Sequence, residues 1–196
     1  MRNQSGAVEF VGSFPGKLPD LGLPEVAFAG RSNVGKSSAL NKLLGTRKAA
    51  RVSSRPGRTQ TINLFKIGNA CVFADLPGYG FAKVPEAVRA EWKGMIESYF
   101  QLREPLKLVV LLVDIRREAQ ELDGMLIDAM LEMELPVLVL ATKVDKLTRN
   151  ERLTRVRALE EGLELPPDVL IPFSSVSGEG VDEVWDRVAD VCGGKL

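Results

Sequence analysis

A glycine-rich stretch, GRSNVGKSS at residues 30–38, limits most strongly what this chain can fold into. The apolar run PEVAFAG leads into it and the helix-like run SALNKLLG continues from it, so the stretch is expected to connect a strand to a helix. Gly30 and Gly35 permit backbone angles that side chains would forbid, which lets successive N–H groups turn inward around an anion at the helix N-terminus. Lys36 would then reach the β- and γ-phosphates of a nucleotide, and the Ser37 hydroxyl would bind Mg²⁺.

Apolar runs alternate with helical segments along the rest of the chain. Such a chain builds a mostly parallel sheet covered by helices on both faces. The Gly68-Asn69 pair is typical of a tight hairpin, which makes one edge strand antiparallel. The sequence therefore predicts a three-layer α/β domain with a mixed sheet. The strand-like runs are residues 26–29, 62–67, 70–74, 106–113, 137–141 and 169–173, and the clearest amphipathic helices are predicted at 84–102 and 122–135.

The composition indicates one ordinary globular domain. The chain has 196 residues, of which 45% are hydrophobic and 27% charged, and its 26 Lys and Arg balance 26 Asp and Glu. We expect the domain at residues 21–196, preceded by a loosely attached arm at residues 1–20. The sequence shows no signal peptide and no membrane-spanning run, so it predicts a cytoplasmic protein without a membrane partner. We expect a monomer.

The cysteine and histidine content excludes several kinds of chemistry. Cys71 and Cys192 give neither a disulfide framework nor metal-ligand spacing, so we expect both to be reduced packing residues. The chain has no histidine, which rules out a Ser-His or Cys-His nucleophile and a zinc site that needs one.

A second motif, DLPG at residues 75–78, follows the strand-like run ACVFA. Asp75 is placed to bind the Mg²⁺ shell through a water molecule, and the Gly78 N–H can contact a γ-phosphate. Asp-x-Pro-Gly alone is ordinary turn chemistry, but its place after the hairpin strand, downstream of Lys36, favours a loop that senses the third phosphate.

A third motif, TKVD at residues 142–145, indicates the base. Asp145 can accept two hydrogen bonds from the ring N–H and the exocyclic amine of guanine, and Lys143 would lie along the base and the ribose. Adenine offers no such pair of donors, which disfavours a P-loop kinase or ATPase. The SSVSG segment at residues 174–178 ends the next strand, and backbone N–H groups near Ser175 are candidates for the guanine carbonyl oxygen.

A polar segment, ARVSSRPGRTQTINLF at residues 50–65, lies between the phosphate loop and DLPG. It is the natural first switch segment of such a protein. A threonine here would complete the Mg²⁺ coordination once the γ-phosphate is present, and both Thr59 and Thr61 are candidates.

Together, GRSNVGKSS, PGRTQT, DLPGYG, TKVD and FSS resemble the EngB (YihA/YsxC) group of bacterial GTPases, from about residue 20 to the end. Thr142, where most GTPases have asparagine, is one of the specific features. The resemblance implies a GTPase in assembly of the large ribosomal subunit, sometimes described in connection with the division septum, and it favours Thr59 over Thr61. The expected nucleotide contacts are Gly30, Arg31, Ser32, Asn33, Val34, Gly35, Lys36, Ser37, Ser38, Gly57, Arg58, Thr59, Gln60, Thr61, Asp75, Leu76, Pro77, Gly78, Thr142, Lys143, Val144, Asp145, Phe173, Ser174, Ser175 and Val176.

The residue after DLPG bears on hydrolysis. Many GTPases position the attacking water with a glutamine there, whereas this chain has Tyr79. We therefore expect slow GTP hydrolysis, with Lys36, Thr59 and Gly78 as the catalytic residues and Mg²⁺ held by Ser37 and Thr59 and, through water, by Asp75.

The side chain of Asn33 has two possible roles. Its amide oxygen would join phosphate oxygens around a monovalent cation such as K⁺, or it would only hydrogen-bond the loop backbone. Related GTPases that have this asparagine and lack the glutamine include potassium-activated members, so the resemblance points to K⁺.

Basic residues cluster around the first switch. They either balance the triphosphate charge or contact ribosomal RNA phosphates. The alternative function is a GTP-controlled interaction module for septum or cytoskeletal partners without a ribosomal role. The cluster consists of Arg31, Arg47, Lys48, Arg51, Arg55 and Arg58.

Overall fold

The structure, a computed structural model, describes residues 7–46, 61–79, 94 and 97–194 of the chain. Within them, seven strands form one sheet in which neighbours are hydrogen-bonded. The strands are β1 (Val8–Phe14), β2 (Glu25–Gly30), β3 (Ile62–Ile67), β4 (Cys71–Asp75), β5 (Leu106–Asp114), β6 (Val137–Thr142) and β7 (Leu170–Phe173). Their order across the sheet is β1-β3-β4-β2-β5-β6-β7.

The pairing of the strands follows their sequence patterns. The continuous apolar runs pair in parallel, from β4 through β2, β5 and β6 to β7. The predicted hairpin is present, because β3 pairs antiparallel with β4 and Gly68 in the turn adopts a positive φ of 50°. The predicted three-layer α/β fold with a mostly parallel, mixed sheet is confirmed.

The N-terminal segment departs from the prediction of a loosely attached arm. Val8–Phe14 form β1, which pairs antiparallel with β3. Strand β3 is therefore second from the edge, although it remains the one strand of these seven that runs against the others. The sequence signal is weak because every residue of β1 is at least partly exposed, so no buried apolar face marks the strand.

Four α-helices have full bounds in the structure: α1 (Lys36–Leu43), α2 (Glu121–Glu132), α3 (Arg149–Gly162) and α4 (Val181–Val191). Helix α3 begins with a capping box, in which the Glu151 N–H donates to the Thr148 hydroxyl and the Thr148 N–H donates to the Glu151 carboxylate. The predicted helix at 84–102 lies mostly outside the described residues, and its last six positions, 97–102, are helical. No helix in the described part of the chain is long and apolar enough to cross a membrane.

The sheet has a hydrophobic core on each face. Alternate residues of β5 point to opposite cores, with Val109 and Leu111 on one face and Val110 and Leu112 on the other. Helices α2 and α3 cover the first face, while α1 and α4 cover the second. The carboxyl ends of the parallel strands lie together at one end of the sheet, where such folds bind ligands.

Candidate functional site

The loop between β2 and α1 has the backbone shape of a phosphate loop. Asn33 and Gly35 both have a positive φ, 66° and 107° respectively, a conformation that asparagine and glycine adopt most readily. Lys36 and Ser37 begin α1, so their backbone N–H groups lie at the positive end of the helix dipole.

Gly30 has a different reason for being glycine than the sequence suggested. Its φ is not positive, so the expectation of an unusual backbone angle is wrong at this position, although it is confirmed at Gly35. A Cβ atom on Gly30 would lie 2.9 Å from the backbone oxygen of Leu112 and 3.0 Å from a methyl group of Val34. Gly30 therefore allows β2 and β5 to approach closely beneath the loop.

The motif DLPG brings its aspartate to the phosphate loop. Asp75 ends β4, is almost fully buried, and forms an ion pair with the ammonium group of Lys36. The Asn63 side-chain amide on β3 donates a second hydrogen bond to Asp75, at 3.3 Å. Sequence reasoning missed Asn63, because only the pairing of β3 with β4 places it opposite Asp75.

Gly78 lies against the phosphate loop. A Cβ on Gly78 would lie 3.1 Å from the Ser32 hydroxyl oxygen and 3.3 Å from the Ser32 nitrogen. The next residue fixes this approach through its backbone, because the Ser32 N–H donates to the Tyr79 oxygen at 2.9 Å and the Tyr79 N–H donates to the Gly30 oxygen at 3.3 Å. The two loops are thus joined directly.

The Tyr79 side chain points into the protein, towards α2. Its hydroxyl donates to a carboxylate oxygen of Asp123 at 2.5 Å, and both residues are buried. Burial, followed by the Asp123 charge, raises the pKa of Tyr79 far above its ordinary value. Burial also raises the pKa of Asp123. Tyr79 therefore occupies the position of the usual glutamine with its polar group bonded to α2.

Arg31 also contacts α2. Its guanidinium donates to the side-chain oxygen of Gln120, the N-cap residue of that helix, at 3.1 Å. Arg31 remains a predicted nucleotide contact, and the bond to Gln120 joins it to α2 as well. The remaining members of the basic cluster and of the switch motif lie outside the described residues: Arg47, Lys48, Arg51, Arg55, Gly57, Arg58, Thr59 and Gln60. Thr61 immediately precedes β3.

The motif TKVD supports the phosphate loop from the far side. The buried Thr142 hydroxyl lies 2.7 Å from the Val34 backbone oxygen and 3.0 Å from the Val113 backbone oxygen. Because it has a single proton, it donates a hydrogen bond to only one of these two oxygens at a time. Lys143 donates to the Asn33 backbone oxygen at 2.8 Å. Thr142 and Lys143 therefore connect β6 to the phosphate loop.

Asp114 is a site residue that sequence reasoning missed. It ends β5, pairs with the Lys143 ammonium at 2.9 Å, and accepts two hydrogen bonds from the Arg116 guanidinium at 2.7 and 2.9 Å. Burial alone would raise the pKa of Asp114, but the hydrogen bonds from Arg116 and Lys143 outweigh it and hold the pKa well below its usual range. The available signal was an aspartate that ends the apolar run LKLVVLLVD, beside TKVD in the sheet.

The loops that hold Asp145 and Ser174 meet. The Ser174 hydroxyl donates to Asp145 at 2.7 Å and accepts from the N–H groups of Val176 and Ser177, each at 3.1 Å. The bond from Ser174 is the main reason that the pKa of Asp145 is lowered. Ser174 is fully buried, and its hydroxyl orients Asp145. Val176, another predicted nucleotide contact, is 73% exposed.

The carboxyl ends of strands β2, β4, β6 and β7 thus bring together a phosphate loop, a DLPG loop, a TKVD loop and the loop that holds Ser174. This fold and site define a P-loop GTPase. A family model described as a 50S ribosome-binding GTPase matches residues 25–143. A probable GTP-binding protein EngB of Geobacter metallireducens is 48% identical over 184 residues, which cover 93% of this chain and 90% of that protein. The chain belongs to the EngB family of GTP-binding proteins, as its motifs suggested.

Solved structures agree with this assignment. The crystal structure of a probable GTP-binding protein EngB superposes with a TM-score of 0.72 at 28% identity, covering 87% of this chain and 100% of that chain. The structure of Era in complex with MgGDPNP and nucleotides 1506–1542 of 16S ribosomal RNA has a TM-score of 0.63 at 25% identity, covering 86% of this chain and 56% of that chain.

Proposed function

We propose that this protein is a guanine-nucleotide switch that acts in the cytoplasm in assembly of the large ribosomal subunit. The observation that carries the switch is the direct joining of the three loops. Lys36 contacts Asp75, Tyr79 pairs with the phosphate loop, and Lys143 holds Asn33. A nucleotide bound here touches all three loops, so loss of its γ-phosphate changes the surface they form.

The residues that surround the site fit Mg²⁺. Ser37 and Thr59 would supply hydroxyl ligands and Asp75 a carboxylate that reaches the ion through a water molecule, and these are the oxygen groups that Mg²⁺ prefers. Within the described residues, no group of three or more His, Cys, Asp or Glu is placed to hold a metal by itself. This agrees with an ion that takes its other ligands from phosphates and water, and that supplies positive charge beside the transferred phosphoryl group.

We propose that hydrolysis is slow. The Tyr79 hydroxyl is bonded to Asp123 inside the protein, so the usual water-positioning amide has no counterpart at this position. Lys36, Thr59 and the Gly78 N–H would then stabilise the charge that develops on the γ-phosphate. A protein of this kind acts through the lifetime of its GTP-bound state.

The ribosomal role rests on the family. The matching family model is described as a 50S ribosome-binding GTPase. The structural neighbour Era has been crystallised with a segment of 16S ribosomal RNA, which supports contact with RNA and not the choice of subunit. We expect RNA to contact the surface of the GTPase domain, including its basic switch segment, and such a contact weakens steeply as salt concentration rises.

Sucrose-gradient sedimentation with ribosomal particles tests the proposal. We expect the protein to travel with large-subunit particles in a non-hydrolysable GTP analogue and less in GDP. The Asp145→Asn variant is the matched control, because its association should follow xanthosine nucleotides in place of guanosine nucleotides. Absence of the protein from the particle fractions in both states would contradict the ribosomal role and favour a GTP-controlled module for septum or cytoskeletal partners.

A further inference from the structure

Tyr79 connects the DLPG loop, which it directly follows, to the phosphate loop and to helix α2. Its backbone oxygen accepts from Ser32 and its backbone N–H donates to Gly30, both on the phosphate loop. Its hydroxyl crosses to Asp123 in the first turn of α2. The residue just before it is Gly78, whose N–H we assign to the γ-phosphate.

Asp123, at the α2 end of this connection, is held firmly inside the protein. Asp123 is 3% exposed, and a buried carboxylate is costly unless a donor satisfies it. The phenol of Tyr79 supplies such a donor, and the Arg31 charge nearby favours the ionised carboxylate. Arg31 is itself bonded to Gln120, one turn from Asp123 on the same helix. Helix α2 therefore contacts both the phosphate loop and the DLPGY loop through polar side chains.

We propose that Tyr79 and Asp123 are positioning residues for γ-phosphate recognition, whose hydrogen bond holds the Gly78 N–H against the phosphate loop before the nucleotide binds. The inference rests on the proposed function of Gly78. If the loop were free, GTP binding would have to order it, and that entropy cost would fall on GTP and not on GDP. The Tyr79–Asp123 bond removes this cost in advance. It therefore raises the affinity for GTP relative to that for GDP, while the base and the other phosphates bind as before.

The test measures the ratio of the dissociation constants of GDP and a non-hydrolysable GTP analogue. Tyr79→Phe removes the donor and should weaken binding of the GTP analogue relative to GDP by about fivefold to tenfold. Asp123→Leu removes the acceptor at similar volume and should give a similar reduction. Asp123→Asn keeps an oxygen that accepts from the phenol, so its ratio should remain close to that of the wild type. The double variant Tyr79→Phe/Asp123→Leu should lose no more than either single variant.

Tyr99 offers a matched control at the amino ends of the strands, away from the nucleotide site. Its hydroxyl also donates to a buried carboxylate, that of Glu25 at the start of β2. Tyr99→Phe should lower the thermal midpoint without changing the nucleotide ratio. The inference is overturned if Tyr79→Phe or Asp123→Leu lowers only the thermal midpoint, as Tyr99→Phe does. A Cβ on Gly78 would lie 3.1 Å from the Ser32 hydroxyl oxygen and would displace the loop, so a Gly78→Ala variant with the wild-type ratio would instead contradict the proposed role of Gly78 itself.

Discussion

At the scale of single residues, Asp145 has the most direct chemical consequence. The Ser174 hydroxyl orients its carboxylate and the pKa of Asp145 is lowered, so it is an ionised acceptor at neutral pH. Asp145→Asn should change the preference from guanosine to xanthosine nucleotides by about 100-fold or more, because it replaces an acceptor with a donor opposite the base edge. Competition binding with both triphosphates measures this.

Ser174→Ala separates recognition from orientation. This variant keeps the carboxylate of Asp145 but loses the hydroxyl that holds it, so guanosine should still be preferred while its affinity falls. An unchanged preference in Asp145→Asn would remove Asp145 from the base site.

Asn33 carries the prediction about monovalent cations. Its positive φ agrees with a structural role in the loop, and Lys143 donates a hydrogen bond to its backbone oxygen. If the amide oxygen helps to hold K⁺, GTP turnover should be higher in potassium than in sodium at equal ionic strength. Asn33→Ala should abolish that difference while GTP binding remains largely intact. Equal turnover of the wild type in the two salts would leave Asn33 with the structural role alone.

At the scale of elements, the ends of β5 and β6 are linked by charge. Asp114 on β5 pairs with Lys143, which follows β6 and holds the phosphate loop. Asp114→Asn should lower the free energy of unfolding at pH 7 by about 1–3 kcal/mol, because it weakens the hydrogen bonds to Lys143 and Arg116. Chemical denaturation measures the loss. Arg116→Gln, which removes only the half-exposed partner, should cost less.

The same link predicts a dependence on pH. The folded pKa of Asp114 lies below its unfolded value, so its stabilising contribution is complete above pH of about 4 and is lost as the pH falls towards the folded pKa. The stability difference between the wild type and Asp114→Asn should therefore narrow when unfolding is measured at pH 3. A difference that stays constant between pH 7 and pH 3 would contradict a contribution from the Asp114 charge.

At the scale of the whole molecule, β1 covers the edge of the sheet. It pairs with β3 along its length, and Phe10 contacts Phe65 with ring centroids 5.4 Å apart. Deletion of residues 1–14 would expose the backbone groups of β3, so the thermal midpoint should fall and the protein should self-associate as its concentration rises. Thermal melting and light scattering measure the two effects. A truncated protein with the wild-type midpoint and no self-association would show that β1 contributes nothing to the sheet.

Much of this protein follows from local sequence alone. Strand–loop–helix patterns predicted the mixed, mostly parallel sheet. The motifs GRSNVGKSS, DLPG and TKVD predicted the loops that meet at the carboxyl ends of the strands. These signals are readable because hydrophobic periodicity and turn chemistry act over a few residues. Gly35 is an example, since its positive φ is required by the loop itself.

The tertiary structure decided what distant residues do to one another. Tyr79 and Asp123 are 44 positions apart in the chain, and Arg31 and Gln120 are 89 apart, so no local pattern predicts that they bond. Gly30 is required by the approach of Leu112 from another strand, and β1 forms its ladder by pairing with β3, which is more than 45 residues away in the chain. Local sequence sets which elements form, whereas the order of strands in the sheet sets which side chains meet, because that order depends on packing across the whole core.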